Sequence, residues 1–200
     1  MTTNDQQPAT IAVRLLEARD SNDAQLVDRL TSLINDVYTT AENGLWRDGA
    51  PRTTAAEIVE LIRTGQIAVA TRHGQIAGSV RIHDVADDTS EFGMLVAAPD
   101  QRGSGVGGAL VAFAEQHSRE RGMRAMQLEL LLPRAWRHPS KEFLKAWYGR
   151  LGYRQVRTGS IEDSHLHLAP LLATPCDLAI YKKPLQTGQP GPEAARSFGG

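Results

Sequence analysis

The chain has 200 residues, room for one domain with a real core and a tight fit for two. Apolar residues make up 41%, and 22 Lys+Arg stand against 23 Asp+Glu, so no charge excess points to a nucleic-acid or membrane partner. The single cysteine, Cys176, excludes an intramolecular disulfide and a cysteine-based zinc cluster and reads as an inert strand residue. The opening MTTNDQQPAT lacks a signal peptide's basic start and apolar run, and no apolar stretch approaches the ~20 residues that span a bilayer, so the expected location is cytoplasmic.

Residues 1–9 and 186–200 are rich in Gly, Pro and small polar residues and read as loose ends around one domain, 10–185. Ile11, Val13 and Leu15 alternate as a strand. Ser21 or Asn22 then caps a helix that carries Leu26, Leu30, Leu33, Ile34 and Val37 to about Tyr38. Residues 39–52 show no period and read as a loop. Thr54 and Glu57 form a capping box for a helix closed by Gly65. QIAVATR and QIAGSVRIH are two strands joined at His73–Gly74, DVADDTS is a turn region, and EFGMLVA is the next strand.

After the glycine run, Val106, Leu110, Phe113 and His117 recur at helical spacing, and the helix ends near Gly122. Met126, Leu128, Leu130 and Leu132 alternate as a strand. A helix after Pro139 places Phe143, Leu144, Trp147, Tyr148 and Leu151 on one side, and strands follow near 153–158 and 177–183. Consecutive strands without intervening helices favour an α/β (α+β) fold: a mixed, mostly antiparallel sheet with one parallel crossover.

QRGSGVGGAL, residues 101–110, sets a glycine-rich loop against a helix start. Unpaired N–H groups and the positive end of the helix dipole hold a phosphate or other anion there, and glycines let it lie directly on the backbone. Gly103, Gly105 and Gly108 also satisfy the dinucleotide fingerprint, with Glu129 about twenty residues on. Against that reading, five residues, Ala98 to Arg102, separate strand from glycines, and antiparallel strands precede. A P-loop is excluded because no Gly-Lys-Ser/Thr follows.

Two segments in order carry a family resemblance. EFGMLVAAPDQRGSGVGGAL, from Glu91 to Leu110, resembles motif A of the GNAT (GCN5-related N-acetyltransferase) superfamily. WYGRLGY, from Trp147 to Tyr153, resembles its Phe-Tyr-x-x-x-Gly-Phe with aromatic exchanges at both ends. The resemblance implies a GNAT-like central sheet of about seven strands flanked by about four helices. It also implies an acetyl-CoA-dependent N-acyltransferase that moves the acyl group directly to a primary amine of a small molecule or peptide. Alternatives are a catalytically inactive coenzyme A-binding module and a dinucleotide oxidoreductase. A monomer or homodimer is expected.

Carried over by residue, the backbone amides of Arg102, Gly103, Ser104, Gly105, Val106, Gly107 and Gly108 hold the coenzyme A pyrophosphate, and backbone groups of Leu95 and Val96 pair with the pantetheine arm. Tyr148 matches the family's general acid, and a phenol of pKa near 10 can protonate a thiolate of pKa near 8.5. Tyr148 also reads as a core aromatic. Glu91 stands near the place where some members of the family use a glutamate as base, directly or through water, and also reads as a solvated carboxylate; Glu129, mid-strand, ranks below it. A strand N–H such as that of Val96 is the expected oxyanion donor. Where the family commonly has Asn seven residues before the tyrosine, this chain has Lys141.

Acceptor specificity is expected from residues 38–52, with Tyr38, Glu42, Trp46 and Arg47, and from 159–176, with Glu162, Asp163, His165 and His167; of these Trp46, Arg47 and His165 are the candidates. His165-x-His167 lacks an evident third ligand, so no metal is expected. Arg134, Arg137 and His138 read as a basic turn or as contacts to phosphate.

Overall fold

A computed structural model describes residues 10–185 other than His167. The expected loose ends, 1–9 and 186–200, lie outside the described residues. In chain order the elements are β1 (Ala12–Leu15), α1 (Ala24–Ala41), α2 (Ala55–Arg63), β2 (Ile67–Arg72), β3 (Gln75–Ala86), β4 (Thr89–Ala97), α3 (Val106–Glu120), β5 (Ala125–Pro133), α4 (Pro139–Arg150), β6 (Arg154–Gly159), α5 (Ile161–Ser164) and β7 (Cys176–Pro184). The strands form one sheet, β1-β2-β3-β4-β5-β7-β6, antiparallel except for β4 beside β5.

Several boundaries differ from the sequence reading for local chemical reasons. Ser21 and Asn22 fall inside a 3-10 turn, and Asp23 caps α1, accepting from Leu26 N–H at 3.1 Å. Thr54 caps α2 as expected, but Glu57 turns its carboxylate to the Thr53 hydroxyl, 2.8 Å away, so the capping box is not closed. The polar DVADDTS segment is mostly strand. Asp84 stands opposite Ser90, whose hydroxyl donates to it at 2.9 Å, and only Asp87 and Asp88 turn. Phe143, expected on the packed side of α4, is 62% exposed; the helix buries Lys141 and Tyr148 instead. The short α5 interrupts a stretch expected to be irregular.

Alternation along the strands divides the core between two faces. Val80, Ile82, Phe92, Met126 and Leu128 face α3 and α4, where Leu110 and Tyr148 complete the cluster. Val69, Met94 and Val96 face α1 and α2, against Leu30, Ile34 and Ile58. The change of side between Phe92 and Met94 is made by a β-bulge. Met94 has φ of 47°, and the β3–β4 register slips between Ser79 and Arg81.

The bulge coincides with a parting of the sheet. β4 pairs with β5 only through Thr89, Ser90 and Glu91, opposite Ala125, Met126 and Gln127. Beyond those pairs β4 keeps β3, and β5 keeps β7 as far as Pro133 opposite Cys176. The C-terminal half of β4 therefore has an unpaired edge inside the molecule.

Gly78 holds this region together by what it lacks. A Cβ there would stand 2.4 Å from Val96 O and 2.8 Å from a methyl of Val106. Backbone cannot yield as a flexible side chain does, so β3 would move off both β4 and the start of α3. Gly78→Ala is expected to lower the unfolding free energy by about 2 kcal/mol, measured by urea denaturation.

Candidate functional site

Where β4 and β5 part, a cavity of about 140 Å³ opens, lined by Tyr38, Leu95, Glu129, Leu144, Tyr148 and His165 among others. On one side of it, the free edge of β4 runs toward α3. Ala98 N–H donates to Ala77 O at 2.8 Å. Because antiparallel pairs alternate in their bonding, Val96 opposite Ser79 turns its backbone groups to β3, while Leu95 and Ala97 turn theirs to the gap. The expected pair Leu95 and Val96 thus divides: Leu95 faces the opening and Val96 does not.

The α3 N-terminus carries no side-chain cap, and its N-cap Gly105 takes φ of 92°, which a side chain would oppose. The amides of Val106, Gly107 and Gly108 have no acceptor among the described residues, as the first turn of a helix dictates. Those of Arg102, Gly103 and Gly105 are likewise open, but Ser104 N–H is spent on Gln101 O at 3.2 Å. Gly107 has a packing reason for its size, since a Cβ would meet the Trp147 ring at 3.5 Å. At Gly108 a Cβ would meet nothing within 4 Å. Packing and backbone conformation leave Gly108 unexplained; close approach of a ligand would explain it.

Tyr148 lies on the opposite wall, packed against Trp147, Phe92 and Tyr153 with ring centroids 5.0, 5.9 and 6.0 Å away. Burial raises its phenol well above the ordinary value. Among the described residues nothing hydrogen-bonds the hydroxyl. Its motif partner Tyr153 is structural: its hydroxyl donates to buried Glu115 at 2.9 Å, and Lys183 closes on the same carboxylate.

The floor toward α1 carries two carboxylates. Glu91 accepts from Gln127 Nε2 at 2.8 Å and is buried; desolvation, reinforced by the charge of Glu129, pushes its carboxyl above the usual range. Glu129 Oε2 lies 2.7 Å from His165 Nε2. Glu129 and His165 line the cavity, whereas Glu91 does not, reversing the order of access expected from sequence. His83 approaches Glu91 at 3.8 Å, but burial and Arg81 push its imidazole down to about 4, so at neutral pH this is no ion pair.

At the α1 end, Glu42 and Lys141 form a buried ion pair, and Trp46 Nε1 donates to the other oxygen of Glu42. Lys141, which stands where the family has Asn, is thereby occupied. Arg52 lies over the rings of Tyr38 and Trp46, at 5.0 and 6.0 Å. Its sequence neighbourhood, a proline-flanked loop, gave no signal. Trp46 bridges to Leu172, and Arg47 donates through N–H to Leu171 O at 2.8 Å and through Nε to Leu172 O. Arg47 thus fastens two segments and lines a second cavity, beyond the first.

The remaining candidates are placed away from this wedge. His138 caps α4, accepting from Ser140 N–H at 3.2 Å, while its Nε2 lies 3.1 Å from Asn43 O. Arg134 pairs with exposed Asp177. Asp163 caps α5, and exposed Glu162 bonds Ser160. Burial pushes the Cys176 thiol up to about 11, as an inert residue requires. His167 lies outside the described residues. Among those described, no cluster of His, Cys, Asp and Glu is placed to hold a metal ion, and no helix is long and apolar enough to cross a membrane.

Residues 63–155, which contain β2 to β5, the glycine loop, α3 and α4, match the family model described as Acetyltransferase (GNAT) domain. Over that stretch the chain is similar to a GNAT domain. Solved structures agree on the GNAT fold at low identity. The PaiA N-acetyltransferase of Thermoplasma acidophilum, in complex with coenzyme A, superposes with TM-score 0.66 at 14% identity, over 88% of this chain and 99% of that one. The ribosomal-protein-alanine N-acetyltransferase of Brucella melitensis gives 0.62 at 18%, over 87% and 99%. N-acetylglutamate synthase of Neisseria gonorrhoeae, complexed with coenzyme A and N-acetyl-glutamate, gives 0.60 at 15%; the match covers 89% of this chain but 36% of that one. The sequence matches none of the curated proteins compared with it.

The Glu42–Lys141 pair yields a stability prediction. Lys141→Ala leaves a buried carboxylate without its closest cation and is expected to cost about 3–5 kcal/mol, with much of the loss recovered in Lys141→Ala/Glu42→Gln, as read by chemical denaturation.

Proposed function

We propose that the protein transfers an acetyl group from acetyl-CoA to a primary amine, in a ternary complex. The observation that carries this reading is the free edge of β4, which leads from a wedge holding Tyr148 to an uncapped helix N-terminus. An extended arm pairs with Leu95 and Ala97 as an added strand would. The pyrophosphate lies on the open amides of Arg102, Gly103, Gly105, Val106, Gly107 and Gly108, in the positive field of α3. Leu95 N–H is the strand donor placed for the thioester carbonyl oxygen.

The chemistry then needs three proton movements. The amine gives its proton to the carboxylate floor, with Glu129 and His165 at the cavity and Glu91 behind them. Its nitrogen attacks the thioester carbon, the C–S bond breaks, Tyr148 protonates the departing thiolate, and the proton that the new amide nitrogen sheds restores the phenol. Burial holds the phenol neutral and also makes it a weaker acid, so the transfer relies on the thiolate, which the same apolar wall makes a stronger base. The pK raised on Glu91 makes it a stronger base than an ordinary glutamate, although it must then be deprotonated at a higher pH.

Isothermal calorimetry with coenzyme A and NADPH tests the donor; binding of NADPH alone would refute the proposal. Tyr148→Phe is expected to lower kcat about 100-fold with little change in coenzyme A affinity, checked by thiol release from acetyl-CoA. Activity is expected to fall on acidification, with the acid limb of kcat/KM above the 4.5 of an ordinary glutamate, because the base works deprotonated and its fold holds the proton more tightly. In Glu91→Gln that limb should shift or disappear in a pH–rate profile.

A further inference from the structure

The acceptor end of the cavity holds a cation that nothing in the reaction above uses. Arg52 lines both cavities, which share Tyr38, Glu42, Trp46 and Leu168 as well. Its guanidinium lies 5.0 Å from the ring centroid of Tyr38 and 6.0 Å from that of Trp46, and its Nε is buried without a hydrogen-bond partner among the described residues. A buried donor left unmade is costly unless something completes it.

The neighbouring carboxylate is already taken: Lys141 holds Glu42 at closer range than Arg52 does. The Arg52 guanidinium, beside two aromatic rings, keeps a buried donor that a carboxylate could engage. Glu129 and His165 stand on the same cavity, toward Tyr148. An acceptor spanning the cavity would thus meet a base with one part and a guanidinium with another.

The size of the acceptor follows from how the site is closed. The α1–α2 connection and the segment before β7 are tied by the Trp46–Leu172 bridge, by Arg47 N–H to Leu171 O at 2.8 Å and by Ala173 N–H to Leu45 O at 2.9 Å. That seam ties together segments that flank the cavity, whose volume of about 140 Å³ fits a small molecule. Resting on the acyltransferase reading, we infer that the acceptor is a small amine that also carries a carboxylate, which Arg52 binds between Tyr38 and Trp46.

The test is thiol release from acetyl-CoA with the common L-amino acids, each as free acid and as α-carboxamide. The α-amides of Asp and Glu set against those of Asn and Gln distinguish a side-chain carboxylate from an α-carboxylate. At least one carboxylate acceptor is expected to exceed its uncharged counterpart by 10-fold or more in kcat/KM. Arg52→Gln should bring that ratio close to one while coenzyme A affinity is retained, and Arg52→Lys should restore part of it. Equal use of acids and amides, or no turnover of any acid while coenzyme A binds, overturns the inference. Failure to bind coenzyme A instead overturns the acyltransferase reading beneath it.

Discussion

Three residue pairs hold β4 to β5, and then the strands part. A parallel pair that ends inside a sheet leaves backbone donors and acceptors facing each other across a space too wide to bridge, and buried backbone groups require partners. The bulge at Met94 makes the opening structurally tolerable: it moves the side chains of Met94 and Val96 to the α1–α2 face while β3 continues to hold the strand. Everything else in the wedge, from Tyr148 on one wall to Glu129 on the other, is positioned relative to that parting.

The two ends of the wedge differ in construction. The end toward α3 is mostly backbone: Leu95, Ala97 and the amides around Gly105 present groups every residue has, so the requirement falls on conformation and clearance. The end toward α1 is made of side chains in a tight electrostatic arrangement, Glu42 with Lys141, Trp46 and Arg52, and Glu129 with His165. Backbone recognition is indifferent to many substitutions, whereas a buried charge network depends on each member.

That difference explains what could be read from sequence. The order of strands and helices was legible, as was the place of the glycine loop before α3 and of Tyr148 on α4, because periodicity, glycine spacing and an aromatic motif are local. The orientation of Val96 was not, since it depends on register with Ser79. The access of Glu129 over Glu91 depends on where pairing to β5 stops. Lys141 and Glu42 are 99 positions apart, and neither residue carries a local sign of its partner. Phe143 fitted the apolar face of α4 by spacing alone, but a buried lysine took the inward position because Glu42 was there to neutralise it.

The seam between Trp46 and Leu172 joins residues far apart in the chain, while β4, the glycine loop and α3 are contiguous. Contacts close in sequence incur little loop-closure entropy, and those of high separation form late. The half of the wedge formed by β4 and α3 is accordingly contiguous in the chain, and the half that includes Trp46 is complete only when the segment before β7 has docked. Substitution in the second half can change the side chains of the cavity while the β4–α3 contacts stay in place.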